Sequence, residues 1–281
     1  LMLTRSLASG KRIIEIMDEE IDIKEDRAEN ISVSRGEIEF SHVYFKYRKD
    51  AKEYVLSDIN LHISAGQTVG IVGQTGSAKS TLVQLIPRLY DVTKGELLID
   101  GRPVEQYPLR HLRDSIAMVL QKNTLFSGTL RENLLWGNKD ATQEEIEEAC
   151  RIAGADEFIG RLEKGYDTEM GQGGVNVSGG QKQRLCIARA ILKKPKVMIL
   201  DDSTSAVDTA TEARIRTMLQ EKLPRMTKII IAQRISSVRH ADMIVVLDDG
   251  RIKGCGTHEE LLESNRIYQE IYESQKEGAD L

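Results

Sequence analysis

The 281-residue sequence contains no apolar run approaching the ~18 residues that a membrane-crossing helix requires. Its strongest run, Ile229-Ile230-Ile231-Ala232, has strand length. Positive charge is not in excess either: 39 Lys and Arg against 44 Asp and Glu leave a formal net charge of -5. That balance disfavours the basic footprint nucleic-acid phosphates select, so no nucleic-acid partner is expected. Cysteine is scarce. Cys150, Cys186 and Cys255 lie far apart without metal-ligand spacing and read as ordinary buried or half-buried thiols of a reducing compartment. The five histidines are equally scattered, which argues against a metal site built on them. There is no signal-peptide pattern, internal repeat or low-complexity tract. What is present is a 40% hydrophobic chain, long enough for one sizeable core or a core with a subsidiary lobe.

The first residue is Leu1, and the chain reads as a piece of something larger. Leu3, Leu7, Ile14 and Met17 recur at helical spacing, giving a helix with one apolar stripe. Such a helix could pack on its own domain or be the tail of a helix from elsewhere. An acidic stretch over 18–29 follows. Residues 37–47 alternate like a strand, with Ile38 and Phe40 in phase. A second strand, Thr68-Val69-Gly70-Ile71-Val72, enters a glycine-rich turn, and a helix is expected from Lys79 to about Tyr90. Buried-type strands are expected over 116–120, 197–200, 228–232 and 243–247, with helical patterns between most of them. The core should therefore be α/β with a mainly parallel sheet. Between Gln121 and Lys194 no strands are expected, and helical patterns indicate an inserted helical lobe.

Three motifs carry chemistry. The turn Gly73-Gln74-Thr75-Gly76-Ser77-Ala78-Lys79-Ser80 nearly matches a P-loop, with Ala78 where the pattern has glycine. Backbone N–H groups and a helix N-terminus would cradle phosphates; Lys79 would reach the outer ones, and Ser80 would ligate Mg²⁺. Next, Val197-Met198-Ile199-Leu200-Asp201-Asp202 is an apolar strand delivering a carboxylate at its C-terminal end, where ligands bind in open α/β sheets. In P-loop NTPases such an aspartate helps to hold Mg²⁺. A pair of capping aspartates before Ser203 is the plainer alternative, but it leaves the pairing with a P-loop unexplained. Finally, Val177-Ser178-Gly179-Gly180-Gln181-Lys182-Gln183-Arg184 precedes a helix with Leu185, Ala188 and Leu192 on one face. In isolation it reads as a helix cap on a loop. Beside the other two it is a second phosphate nest.

In this order and spacing, the pieces closely resemble the ABC transporter ATP-binding domain, and the resemblance spans roughly residues 36–275. It implies a P-loop NTPase core with a mainly parallel sheet, an antiparallel β subdomain and an inserted α-helical subdomain. The expected partition is 1–35 as the end of a transmembrane-domain helix and a linker, 36–121 with 194–275 as the core, 122–193 as the helical signature subdomain, and 276–281 as a tail. The resemblance also implies binding of ATP and Mg²⁺ by the loop 73–80 and Thr81, with Asp201 sharing the metal. Tyr47 matches the residue that stacks on adenine, against the simpler possibility of a strand-face tyrosine. Gln121 matches the glutamine that touches Mg²⁺ and relays motion to the membrane domains. Ser178, Gly179, Gly180 and Gln181 match the signature used on a partner's ATP. Ser205-Ala206-Val207-Asp208 resembles the loop that crosses to that partner. Leu125-Phe126-Ser127-Gly128-Thr129 and Thr168-Glu169-Met170-Gly171-Gln172-Gly173-Gly174 look exporter-like, although exporters normally have Glu at the position of Gln172. The implied partners are a second ABC ATPase domain and the exporter's transmembrane domains. The implied place is the cytoplasmic face of a membrane, with this piece itself soluble.

Three positions depart from the family. Asp202 stands where hydrolysing members carry Glu. Reference acidities of the two are similar, roughly 3.9 and 4.3, so reach is what changes: about 1 Å of misplacement can cost ~10²-fold. Gln233 replaces the switch histidine; it can donate an amide N–H to a γ-phosphate but cannot carry an imidazole's charge. Ala78 puts a methyl where unrestricted backbone is usual. All three concern the chain's own ATP, whereas the signature is complete. That asymmetry resembles the degenerate-site subunit of a heterodimeric exporter. A competent homodimeric exporter domain and a soluble ABC-type ATPase remain alternatives. An importer ATPase is disfavoured by the N-terminal extension and the 168–174 loop.

Overall fold

The computed structural model describes residues 2–19, 21–174, 176–201 and 207–277. Asp202, Ser205 and Ala206, singled out above, lie outside them. After a helix α1 (Met2–Met17), the chain forms β1 (Ile38–Phe45), β2 (Leu56–Ile63), β3 (Thr68–Val72), helix α2 (Lys79–Leu85), β4 (Lys94–Ile99), β5 (Arg102–Pro103), α3 (Leu109–Asp114) and β6 (Ile116–Val119). A mostly helical stretch follows, with β7 (Gly128–Thr129), α4 (Leu130–Leu135), α5 (Gln143–Ile152), α6 (Asp156–Ile159), β8 (Glu169–Met170) and α7 (Gly179–Leu192). The chain closes with β9 (Val197–Asp201), α8 (Thr209–Lys222), β10 (Thr227–Ile231), β11 (Met243–Asp248), β12 (Arg251–Gly256), α9 (His258–Ser264) and α10 (Arg266–Glu277).

Two sheets organise the molecule. The larger runs β12-β11-β3-β10-β9-β6, parallel throughout except for the β11/β12 pair. Its central strands are apolar at nearly every position because both faces are covered, as parallel sheets require. Successive residues divide between two cores. Val69, Ile71, Ile199, Ile229, Val245 and Leu247 face the smaller sheet and α2. Met198, Leu200, Ile230, Ile244 and Val246 face the helical layer that includes Leu185, Ile187 and Ile215. The smaller sheet, β2-β1-β4-β5, is antiparallel. This is the expected mixed α/β architecture, with a mainly parallel sheet beside an antiparallel one.

Several elements differ from the sequence expectations. The helix after the P-loop ends at Leu85 rather than near Tyr90; Arg88, in a left-handed conformation (φ 51), turns the chain. Strands do occur between residues 121 and 194, because β7 pairs with β8. Their two-residue length falls below any periodic signal. The antiparallel strands β2, β4 and β12 lay outside the periodicity reading.

Candidate functional site

Parallel strands deliver their C-terminal ends to one edge, and four such ends meet here. Ile71 of β3 pairs with Ile231 of β10, Ile231 pairs with Asp201 of β9, and Leu200 pairs with Val119 of β6. Beyond them lie, respectively, the loop 73–78, Gln233 and Gln121, with Asp201 itself ending β9. Gln121 and Gln233 are exposed.

The loop is shaped by its glycines. A side chain at Gly73 would place its Cβ 2.0 Å from the Leu247 carbonyl oxygen, so close packing against β11 excludes one. Gly76 (φ 86) and Ala78 (φ 71) are both left-handed, and their alternation with Ser77 is the kind of backbone that forms an anion nest. Ala78 is also the N-cap of α2 and makes no side-chain cap. Its methyl is carried into a conformation that costs a non-glycine residue roughly 1–2 kcal/mol. The adjacent Gln74 and Thr75 are exposed.

The side chains that follow converge. Lys79 Nζ folds back over its loop and donates to the carbonyls of Gly73 and Gln74, both at 2.8 Å, with Ser77 Oγ at 3.3 Å. Ser80 Oγ donates to Asp201 Oδ1 at 3.2 Å, joining residues 121 positions apart. Asp201 is buried. Burial pushes its carboxyl above the usual range, against the opposing effects of the Ser80 bond and the Lys79 charge. A hydroxyl and a buried carboxylate are hard oxygen donors, and a divalent cation beside them would relieve the cost of burying that charge. The residues therefore fit Mg²⁺. Tyr47 reaches the same place from the smaller sheet: its hydroxyl meets Thr81 Oγ1 at 2.9 Å. Phe45 and Tyr90 pack edge-on against its ring at 4.9 and 5.1 Å, and Tyr47 stays 50% exposed.

A second group forms elsewhere on the chain. Ser178 caps α7: its Oγ accepts from Gln181 N at 3.2 Å, and Gln181 Oε1 accepts from Ser178 N at 2.9 Å. Asp208 caps α8 by accepting from Thr211 N at 2.9 Å, and that bond holds its carboxyl below the usual range. Ser178, Gly179, Gly180, Arg184, Val207 and Asp208 line one concavity of about 340 Å³, and no residue of the loop 73–80 is among them. A larger cavity, about 1080 Å³, lies between Arg35, Glu145, Lys194 and Pro224 and contains no candidate residue. Size alone points away from the candidate residues.

Two contacts join residues that no sequence pattern paired. Gln275 of α10 grips the backbone after β10, donating to Gln233 O at 2.7 Å and accepting from Ile235 N at 2.9 Å. Phe126 stacks on Trp136 at 4.9 Å beside a groove of about 340 Å³ that also takes in Leu120, Lys122 and Arg189. Trp136 is 69% exposed. The run 125–129 marked one half of this pair in the sequence, and the single tryptophan is the other.

Comparison with known proteins agrees with this geometry. The family described as ABC transporter matches residues 56–205. A Staphylococcus aureus protein, provisionally named a multidrug export ATP-binding/permease protein, is 46% identical over 94% of this chain and 46% of its own length. YgaD of Bacillus subtilis, provisionally named in the same way, is 46% identical over 96% of this chain and 47% of its own. The solved structure of a bacterial Atm1-family ABC exporter with ATP bound superposes with a TM-score of 0.90 at 34% identity, over 97% of this chain and 48% of that one. The chain thus spans about half the length of the relatives it matches. It belongs to the ABC transporter family, as one of that family's ATP-binding domains.

Proposed function

We propose that the chain binds Mg-ATP at the loop 73–80, pairs head-to-tail with a second ATP-binding domain, and powers export through transmembrane domains on the cytoplasmic side of a membrane. The observation that carries this reading is the Ser80–Asp201 contact beside Lys79, a phosphate-and-metal constellation assembled across 121 residues. Lys79 and the loop's N–H groups would hold the phosphates, and Tyr47 would offer its ring to the adenine. Ser80 and Asp201 would hold the metal, with Gln121 nearby; Mg²⁺ supplies charge neutralisation at the phosphates. Relatives named as ATP-binding/permease proteins support an exporter with attached membrane domains. The exposed Phe126–Trp136 groove and the exposed apolar residues of α1, Leu7, Ile13 and Ile14, are suited to packing against such domains.

We further propose that the chain's own site is degenerate and that its signature serves the partner's ATP. Asp202 and Gln233 replace longer or more basic groups on the chain's own side. Ser178, Gly179, Gly180, Gln181 and Asp208, by contrast, keep the partner-facing set complete. General-base assistance is worth typically ~10²–10⁴-fold, so its loss should spare binding. The purified chain is therefore expected to bind Mg-ATP yet release phosphate very slowly. Fluorescent-nucleotide titration with a phosphate-release assay tests both halves, and rapid hydrolysis by the pure chain would refute the degenerate site while leaving the ATP-binding reading intact.

A further inference from the structure

The C-terminal helix α10 is firmly seated at its start and reaches the phosphate edge at its end. Tyr268 is fully buried, and its hydroxyl meets His258 Nδ1 at 2.7 Å. Asn265 donates to Lys253 O at 3.0 Å and accepts from Tyr268 N at 2.9 Å, tying the helix to β12. Ile267, Ile271 and Tyr272 pack against the main core. Two turns beyond, Gln275 presents both halves of its amide to the segment leaving β10. Its N–H takes the Gln233 carbonyl, and its oxygen takes the Ile235 N–H. That is the pairing a neighbouring strand would offer, supplied by one side chain at a place where the sheet has ended.

We propose that Gln275 is a positioning residue for the phosphate site: by fixing the backbone on both sides of Arg234, it sets the direction in which Gln233 meets the terminal phosphate of a bound nucleoside triphosphate. The inference rests on the reading of the loop 73–80 as an ATP site. Gln233 lies one residue beyond the strand end, after Ala232, and β10 ends with Ile231 in register with Asp201, so a small rotation of the backbone at Gln233 moves its amide relative to the Ser80–Asp201 pair. The core phosphates and the adenine are held by other elements. Loss of the clamp should therefore weaken triphosphate binding selectively.

The experiment uses the full chain with Gln275→Met, which keeps bulk but removes both bonds, Gln275→Glu, which keeps the acceptor for Ile235 N–H, and Gln233→Ala. Amide exchange at Ile235 and dissociation constants for Mg-ATP and Mg-ADP are measured for each. Gln275→Met should speed Ile235 exchange and weaken ATP about three- to tenfold, the range set by losing one or two modest hydrogen bonds. ADP affinity should stay within about twofold, because ADP lacks the γ-phosphate that Gln233 would meet. Gln275→Glu should restore Ile235 protection and part of the ATP preference. Unchanged Ile235 exchange in Gln275→Met, or an equal fall in ATP and ADP affinity, would overturn the proposal, the latter by showing a merely structural role. If Gln233→Ala leaves the ATP-to-ADP ratio unchanged, the positioning role is refuted while nucleotide binding stands. If the unmodified chain binds neither nucleotide, the ATP-site reading itself fails.

Discussion

At the scale of single residues, the site is a set of small unfavourable terms held in place by the fold. Ala78 sits at φ 71, a conformation costing a non-glycine residue roughly 1–2 kcal/mol, whereas glycine would add only about 0.5–1 kcal/mol of unfolded-chain entropy. Strain outweighs entropy. Ala78→Gly should raise the unfolding free energy by up to about 1 kcal/mol, seen as a higher denaturant midpoint at unchanged slope, with no loss of Mg-ATP affinity. Asp201 is the second such term. Its folded-state pKa lies above the ordinary value of 3.8 because burial penalises the charged form. A raised value means that the protonated form favours folding. The associated stability is complete below 3.8 and is lost as pH rises through the folded value, so at neutral pH the ionised carboxylate costs stability. Asp201→Asn, which keeps an acceptor for Ser80, should therefore raise the melting temperature of the nucleotide-free chain at pH 7. That gain should shrink as the pH is lowered toward the ordinary carboxylate range, and Mg²⁺ should lose most of its effect on nucleotide binding. Thermal melts across pH, with and without Mg-ATP, measure both. A destabilised Asn variant at pH 7 would show that the hydrogen bonds of the ion outweigh its desolvation.

At the scale of elements, legibility in the sequence followed how local the determining chemistry is. The loop 73–80 and the strands flanking it were readable because a P-loop needs its residues in one contiguous stretch and a doubly covered strand needs an unbroken apolar run. Antiparallel strands were harder. In β2, Asp58 adopts a left-handed conformation (φ 53) beside an irregular register with β1, breaking the alternation that marks a strand. In β12, Arg251 and Lys253 project among glycines on an edge. The meeting of Ser80 with Asp201 depends on topology and was expected only through the family resemblance, whereas that of Gln275 with the segment after β10 left no trace in the sequence. Arg88 is a similar case. It lies just past α2, buried, with its Nε 2.5 Å from Asp91 Oδ1 and its Nη2 donating to the carbonyl of Lys24 at 2.9 Å. The preceding segment is held further by Glu25 Oε1, which accepts from Leu109 N at 2.6 Å, and by Glu29 N, which donates to the Gln106 carbonyl at 2.7 Å. Arg88→Met should keep the packing of the stem but free the segment. A loss of about 1–3 kcal/mol is expected, from hydrogen bonds made by a charged group, with faster amide exchange spreading over residues 24–31. Exchange changes confined to α2 would mean that Arg88 supports only the helix end.

At the scale of the whole molecule, the candidate groups fall into two separate sets. Lys79, Ser80, Asp201 and Tyr47 gather at the C-terminal edge of the larger sheet. Ser178, Gly179, Gly180 and Asp208 line a concavity that shares no residue with the loop 73–80. A head-to-tail pair of such domains would bring the first set of one chain against the second set of the other, which gives mutations in the two sets different expected costs. In an exporter assembled with its partner domain, Ser178→Ala or Gly179→Glu in this chain should remove most ATPase activity, because the N–H groups and hydroxyl at the α7 N-terminus would face the partner's γ-phosphate. Preorganised donors of this kind are often worth about 10²–10³-fold each, roughly 3–4 kcal/mol. Ser178 also closes a capping box, whose loss costs typically about 1 kcal/mol of helix stability. That is too little to account for such a fall, and a melting curve of the variant separates the two effects. Asp202→Ala should remove little if, as proposed, Asp202 and Gln233 serve the chain's own ATP and turnover there is slow. Glu at 202 together with His at 233 should then raise hydrolysis there, within limits set by Ala78 and by the partner's signature. Steady-state ATPase of the assembled exporter with each single variant decides the matter. Equal damage from Asp202→Ala and Ser178→Ala would mean that both sites turn over, and a slow symmetric enzyme would replace the asymmetric one.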